Sequence, residues 1–323
     1  MNLSEDEALL VETVKRLVND EVASAARTWE ANGLPQDIFK SLGELGLLAI
    51  ITPEDHGGAG LSHRDLGLVV MELARGDVAL AHALANHNQA LALLARCGHP
   101  ELDDFIAGVK KLSWRFAGAV DKPFACDAVV SVHADTLEYH VSMVDLEAHK
   151  ELGARALGYG QTKSEDPTVY NHAIDHEALN AETTLLVSCI ACGLGHAALA
   201  VAADYALERK QFGKPIANFQ AIQWKLADGH MLLEAASLLT EQALNETKEP
   251  QTSMALKASI DAVTKLVDDG LQTHGGYGYT EEYAIEKYYR DAQFLASLRG
   301  TRRAQALKIA DSILEFARHQ QGA

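Results

Sequence analysis

From about Leu179 to the C-terminus, apolar residues recur three and four positions apart in four long stretches. Leu186, Ile190, Leu194, Ala197, Val201 and Tyr205 share one helical face, and Phe219, Ile222, Leu226, Leu233 and Ala236 share a second. Leu256, Ile260, Val263, Val267 and Leu271 form a third stripe, which stops at Gly275-Gly276. Ala306, Ile309, Ile313 and Phe316 form a fourth. Amphipathic helices joined by short links bury such stripes against one another, so 179–323 is expected to be an antiparallel four-helix bundle.

Residues 1–111 also read as helical. Ser4 and Glu7 make an S-x-x-E capping box, followed by Leu10, Val14 and Leu17 at helical spacing. Further helical runs cover Asp37 to Leu48, His63 to Arg75, and the Ala/Leu-rich stretch ending at Cys97. Pro53, Gly57, Gly58 and Gly60 mark a loop between two of them. Between 112 and 178 the period changes to two. Ala128 to Val132 and the alternation Leu137, Tyr139, Val141, Met143 predict a hairpin across the short His133-Ala134-Asp135 link. A β segment this small is expected to lean on the helical parts. The fold class is therefore mainly α, with a small β domain between two helical ones.

Charge narrows the function. Lys and Arg number 28 against 45 Asp and Glu, a formal net charge of −17, which disfavours nucleic acid and anionic membrane surfaces as partners. The first residues carry no basic-then-apolar leader pattern, and no unbroken apolar run suggests a membrane span, so a cytoplasmic location is expected. Cys189 and Cys192 form a lone CxxC among small residues, which reads as core packing rather than metal or redox chemistry.

Three longer motifs are more specific. YALERKQFGKPIANFQAIQWKLAD (205–228), QTHGGYGYTEEYAIEKYYRDAQ (272–293) and LGELGLLAIITPEDHGGAGLSHRDLGLVVMELARGDVALA (42–81) resemble the acyl-CoA dehydrogenase family of flavoproteins. The resemblance covers all but the β segment. It implies an N-terminal helical domain (1–111), a shortened β domain (112–178) and a C-terminal four-helix bundle (179–323). It implies too an oxidoreductase that converts an acyl-CoA thioester to its 2,3-enoyl form, with FAD as hydride acceptor at a subunit interface. On this resemblance Arg209, Gln211, Phe212, Gln272, Gly275, Gly276 and Thr301 are the cofactor-binding candidates, all toward the ADP half of FAD. An arginine offers a planar donor fork to a diphosphate, and glycines let backbone approach it closely.

The rest of the family's machinery is missing. The T-E-P-x-x-G-S-D-like segment that holds the flavin ring has no counterpart in LSWRFAGAVDKPFACDAVVSV, and Trp114, placed before the first expected strand, fits core packing better than a flavin wall. The family's catalytic glutamate, just before Gly-Thr, is Arg299 here, and arginine does not deprotonate in proteins. The alternative glutamate position found in some members aligns with Thr183; Glu182, one residue away, would point about 100° elsewhere and reads as a solvated first-turn residue. No catalytic residue is thus assigned to this chain.

Among other polar residues, His274 could reach cofactor or partner but is expected to be structural. Tyr277 and Tyr279 are candidates for a pocket wall or interface. His82 and His87 are poorly placed for a shared metal, and Asp291 is expected to pair with an arginine. The resemblance then implies one subunit of a heteromer, a heterotetramer by family habit. An acyl-CoA dehydrogenase partner would supply the glutamate and flavin pocket, acyl-CoA would be the substrate and an electron-transfer flavoprotein a possible acceptor. Bulky thioesters such as steroid side chains, in lipid or steroid β-oxidation, would suit a shortened β domain. A homo-oligomeric flavoenzyme with a displaced base and a non-catalytic assembly protein are the alternatives.

Overall fold

A computed structural model describes residues 3–116, 124–133, 135–141, 143–146, 152–163, 167–298 and 302–321. The N-terminal part contains α1 (Glu5–Leu17), α2 (Ala23–Asn32), α3 (Gln36–Glu44), α4 (His63–Leu73), α5 (Val78–Arg96) and the short α6 (Asp103–Ile106). The capping box at α1 is present, with Glu7 N–H donating to Ser4 Oγ at 3.1 Å and Ser4 N–H donating to Glu7 Oε2 at 2.8 Å.

The middle part holds β1 (Leu112–Phe116), β2 (Ala128–Val132), β3 (Thr136–Val141), β4 (Met143–Leu146), β5 (Gly160–Lys163) and β6 (Thr168–Asn171). The expected hairpin is β2–β3, with Val130 opposite Tyr139 and Val132 opposite Leu137; Ala134 in its link lies outside the described residues. β1 joins β2 in parallel and β6 joins β3, giving the order β1-β2-β3-β6, and β4 pairs with β5 separately. Trp114 therefore lies within the first strand, not before it. Its ring is buried together with Leu112, Val130, Leu137 and Tyr139 against Leu91 and Leu94 of α5, so the sheet leans on the helical part as expected.

The C-terminal part is helical as expected, and among its described residues are five helices where four stripes were read: α7 (His176–Glu208), α8 (Gln220–Asn245), α9 (Gln251–His274), α10 (Ala284–Ser297) and α11 (Arg302–Gln321), with a hairpin of β7 (Lys210–Gln211) and β8 (Lys214–Pro215) between α7 and α8. The first three stripes mark α7, α8 and α9. The fourth marks α11, but Ile313 and Phe316 are exposed there; Ile285, Ala292 and Leu295 of α10 are the fully buried apolar residues. Helix α7 is long and apolar enough to pass for a membrane span by length and composition alone, but most of that window is buried inside the protein, as in a core helix. Cys189 and Cys192 sit in this buried stretch as free thiols, as expected.

Charged residues on α10 tie distant segments together. Lys287, almost wholly buried, pairs with Asp77 at 2.9 Å and with Asp291 at 2.6 Å. Asp77 caps α5 through Leu80 N–H, while Asp291 accepts from Ala154 N–H at 2.7 Å. The sequence reading gave Asp291 an arginine partner; the helical i, i+4 spacing puts Lys287 there instead. Arg290 reaches Glu30 of α2 at 2.7 Å and Glu286 at 2.5 Å.

Candidate functional site

The end of α7 and the end of α9 converge on one open cavity of about 470 Å³. Tyr205 and Arg209, one helical turn apart, line it from α7, with Gln211 and Ile216 from the following hairpin. Thr273, His274, Gly275, Gly276, Tyr277 and Thr280 close the other side. Four of the seven cofactor candidates, Arg209, Gln211, Gly275 and Gly276, thus meet in one place although some 65 residues separate the two groups.

Local backbone chemistry builds each wall. Arg209 ends α7 in an extended conformation, its N–H returning to Tyr205 O at 2.9 Å, while its carbonyl accepts from Ile216 N–H at 2.8 Å. Its guanidinium lies 5.5 Å from the centre of the Tyr277 ring, and it has no ion pair among the described residues. A cation supported by an aromatic face and left without a carboxylate remains available to an anion. On the far wall Gly275 caps α9 at φ +60°, and a Cβ at Gly275 or Gly276 would meet nothing within 4 Å. Both backbones consequently border open space.

His274 closes the floor. Its ring stacks on Tyr205 at 4.0 Å, and its Nδ1 lies 2.8 Å from Gly270 O. A carbonyl only accepts, so Nδ1 carries the proton and Nε2 is left as a buried acceptor with no partner. Burial pushes the His274 pKa down, which keeps the ring neutral near pH 7.

Two of the remaining candidates do not line this cavity. Gln272 is on the exposed side of α9, and Phe212 is 93% exposed at the hairpin tip. Phe212 and Gly213 both have positive φ, +52° and +81°, as a two-residue turn of the tight hairpin type requires. Arg299 and Thr301 lie outside the described residues. Tyr279 is exposed, and Tyr277 lines the cavity. Tyr205, Ile216, Thr273 and Thr280 line it too, unsuspected from sequence; the signal for Tyr205 was its four-residue spacing from Arg209.

Thr183 and Glu182, weighed above as alternative base positions, both lie on α7. Thr183 is buried, accepting from Gln89 Nε2 at 3.0 Å and donating to Leu179 O at 2.7 Å. Glu182 is not solvated as expected but pairs with His63 at 3.1 Å, both side chains only partly exposed, because α4 packs alongside α7. His87 is likewise spoken for: its ring nitrogens meet Leu112 N–H and Phe105 O, and His82 meets Asn86. Among the described residues no group of His, Cys, Asp or Glu is arranged to hold a metal.

Known proteins place this geometry in context. Residues 4–105 match the family model for the acyl-CoA dehydrogenase N-terminal domain, and 174–314 match that for the C-terminal domain. The chain is 30% identical to the caffeyl-CoA reductase-Etf complex subunit CarC of Acetobacterium woodii, over 88% of this chain and 92% of that one. It is 29% identical to benzylmalonyl-CoA dehydrogenase of Aromatoleum aromaticum, over 97% of this chain and 99% of that one. That alignment runs to 373 positions against a chain of 323 residues, so the relative carries segments missing here; between the two matched domains, 106–173 is matched by neither family model. In structure the chain resembles butyryl-CoA dehydrogenase of Megasphaera elsdenii, with a TM-score of 0.81 at 20% identity over 97% of this chain and 99% of that one.

Proposed function

The chain belongs to the acyl-CoA dehydrogenase family, and on that premise we propose that it is the base-lacking subunit of a heteromeric, FAD-dependent acyl-CoA dehydrogenase. The observation that carries this reading is the convergence of Arg209, Gln211, Gly275 and Gly276 on one open cavity, in a sequence with Arg299 before Gly300-Thr301.

The cavity fits the ADP half of FAD. An unpaired guanidinium on one wall matches a diphosphate in charge and geometry. Two glycines on the other leave room for it beside backbone N–H groups. Nε2 of His274 adds a buried polar group with no partner among the described residues. When bound, FAD supplies the hydride acceptor. This chain's own part is to hold the nucleotide end: Arg209 balances its negative charge, and Tyr205, Ile216 and Tyr277 give it apolar walls. Proton abstraction from the acyl α-carbon falls to a carboxylate of the partner, since arginine at 299 stays protonated.

The finer reading follows from the short middle segment. With fewer residues over 106–173, the assembled site has room for a bulky acyl group, such as a steroid side-chain thioester, and an electron-transfer flavoprotein serves as acceptor. A dimer of heterodimers is the stoichiometry this implies.

The test is to co-express the chain with a candidate acyl-CoA dehydrogenase partner from the same organism and purify through a tag on this chain. The expected product is a yellow heteromer that oxidises acyl-CoA, whereas the chain alone is colourless and inactive. In the heteromer, Arg209→Ala should weaken FAD retention. A chain that alone carries one FAD and turns over acyl-CoA defeats the reading, and unchanged retention in Arg209→Ala removes the site assignment.

A further inference from the structure

The cavity at the ends of α7 and α9 is sized for part of FAD rather than the whole. Its volume of about 470 Å³ lies in the lower half of the range for small-molecule pockets, and ADP has about half the atoms of FAD. All its lining comes from the end of α7, the hairpin beside it and the end of α9, and none of the lining residues is an Asp or Glu. The ADP end of a ligand is thus received by one polypeptide alone.

Two features give the site a chemical preference. Arg209, Lys210 and Lys214 follow one another around the hairpin, and none has an ion pair among the described residues. In a chain of net charge −17, such a cluster of free cations favours a polyphosphate at this spot. The Gln211 side chain is exposed at the cavity edge, and its amide has no hydrogen-bond partner among the described residues. An amide presents one donor and one acceptor side by side. That pair matches N7 and the N6 amine of adenine, whereas guanine offers two acceptors at the same edge.

We propose that the unassembled chain binds free ADP in this cavity, reading adenine through Gln211, and that ADP competes there with FAD. This deepens the proposed function and rests on it. A ligand gripped only by its ADP end gains nothing from its ring, so the free chain holds ADP and FAD equally. Contacts of the partner to the ring then favour FAD in the heteromer by making the second attachment intramolecular. Loading of the heteromer with FAD is consequently slowed when ADP is abundant. By mass action, ADP at a hundred times its dissociation constant weakens apparent FAD binding to the free chain about a hundredfold.

The experiment titrates the full chain, expressed alone, with ADP, GDP, FMN, FAD and CoA by isothermal calorimetry. ADP and FAD are expected to bind equally and to displace each other, GDP to bind about tenfold more weakly, and FMN not to bind. Arg209→Ala should abolish ADP binding, and Gln211→Ala should bring ADP and GDP to one affinity, both with unchanged circular dichroism. Absence of ADP binding, equal affinity for ADP and GDP in the unaltered chain, or FAD bound about tenfold or more tighter than ADP overturns the proposal. CoA bound more tightly than ADP also overturns it, since the cavity would then belong to the thioester. If co-expression yields a yellow heteromer while the free chain ignores ADP, this inference alone falls. If the free chain binds ADP as described but no partner gives a yellow heteromer, the heteromeric reading alone falls.

Discussion

The Gln89 side-chain amide donates to the Thr183 hydroxyl at 3.0 Å, and Trp114 Nε1 in turn donates to Gln89 Oε1 at 3.3 Å. Strand β1, helix α5 and helix α7 are thereby joined by a buried polar chain at Thr183, the residue that the sequence resemblance aligned with an alternative base. The hydroxyl's one proton goes to Leu179 O, so nothing there accepts a proton from a substrate. We expect Thr183→Glu to fail to generate dehydrogenase activity and to cost roughly 3 kcal/mol, since a carboxylate would be buried beside a carbonyl. Urea denaturation and an acyl-CoA assay check both parts; a stable, active variant would show the position to be an open site.

Lys287 should prove one of the most sensitive residues for folding. Burial disfavours its charge, but Asp291 and Asp77 outweigh burial and hold the ammonium protonated. Lys287→Met leaves two buried carboxylates facing each other without a cation, an expected loss of about 3–5 kcal/mol. A denaturation midpoint close to wild type would contradict this.

Acid should destabilise the chain in two overlapping stages. Burial lowers the pKa of His82 and His87 to about 4, against 6.5 when unfolded, so between those values the unfolded chain binds protons that the folded chain refuses. Stability therefore falls as pH drops from 6.5 toward 4. For Glu286 burial acts to raise the pKa, but Arg290 and Arg27 prevail and hold it at about 2, against 4.5 unfolded. Its contribution is complete above 4.5 and disappears between 4.5 and 2. Urea midpoints measured from pH 7.5 to pH 3 should decline throughout, and a flat profile between 6.5 and 4 would refute the histidine part.

The two cavity glycines should separate structure from ligand. Gly275 at φ +60° adopts a conformation that a side chain strains, so Gly275→Ala is expected to cost about 1–3 kcal/mol. Gly276 has no positive φ and open space where a Cβ would go. Gly276→Ala should then leave the melting temperature unchanged but lower FAD retention in the heteromer. Equal losses of stability in both would point to a purely structural glycine pair.

Phe212 gives the converse case. It holds a left-handed conformation with its ring in solvent, which costs about 1–2 kcal/mol relative to a relaxed backbone. Phe212→Gly should keep or slightly raise the stability of the free chain in urea, while weakening assembly with the partner. A clear drop in the free chain's stability would mean that the edge contact with Phe219, at 6.3 Å between ring centres, matters more than the strain.

By itself the sequence determined the helical stripes of α7, α8 and α9, the β2–β3 hairpin, the α1 capping box and the family, because periodicity and local motifs depend on neighbours in the chain. It also showed that arginine stands at 299, since identity alone excludes a base. Periodicity missed α10, because Lys287, Arg290 and Asp291 interrupt its apolar face and are buried only through Asp77, Glu30 and Ala154, far away in sequence. It also marked an apolar face on α11 without saying what covers it, and Ile313 and Phe316 remain exposed. Only the tertiary structure decided that Arg209 and Gly275 border one cavity while Gln272 and Phe212 turn away from it. Helix phase and hairpin twist fix those directions, and the partners that fix them lie in other segments of the chain.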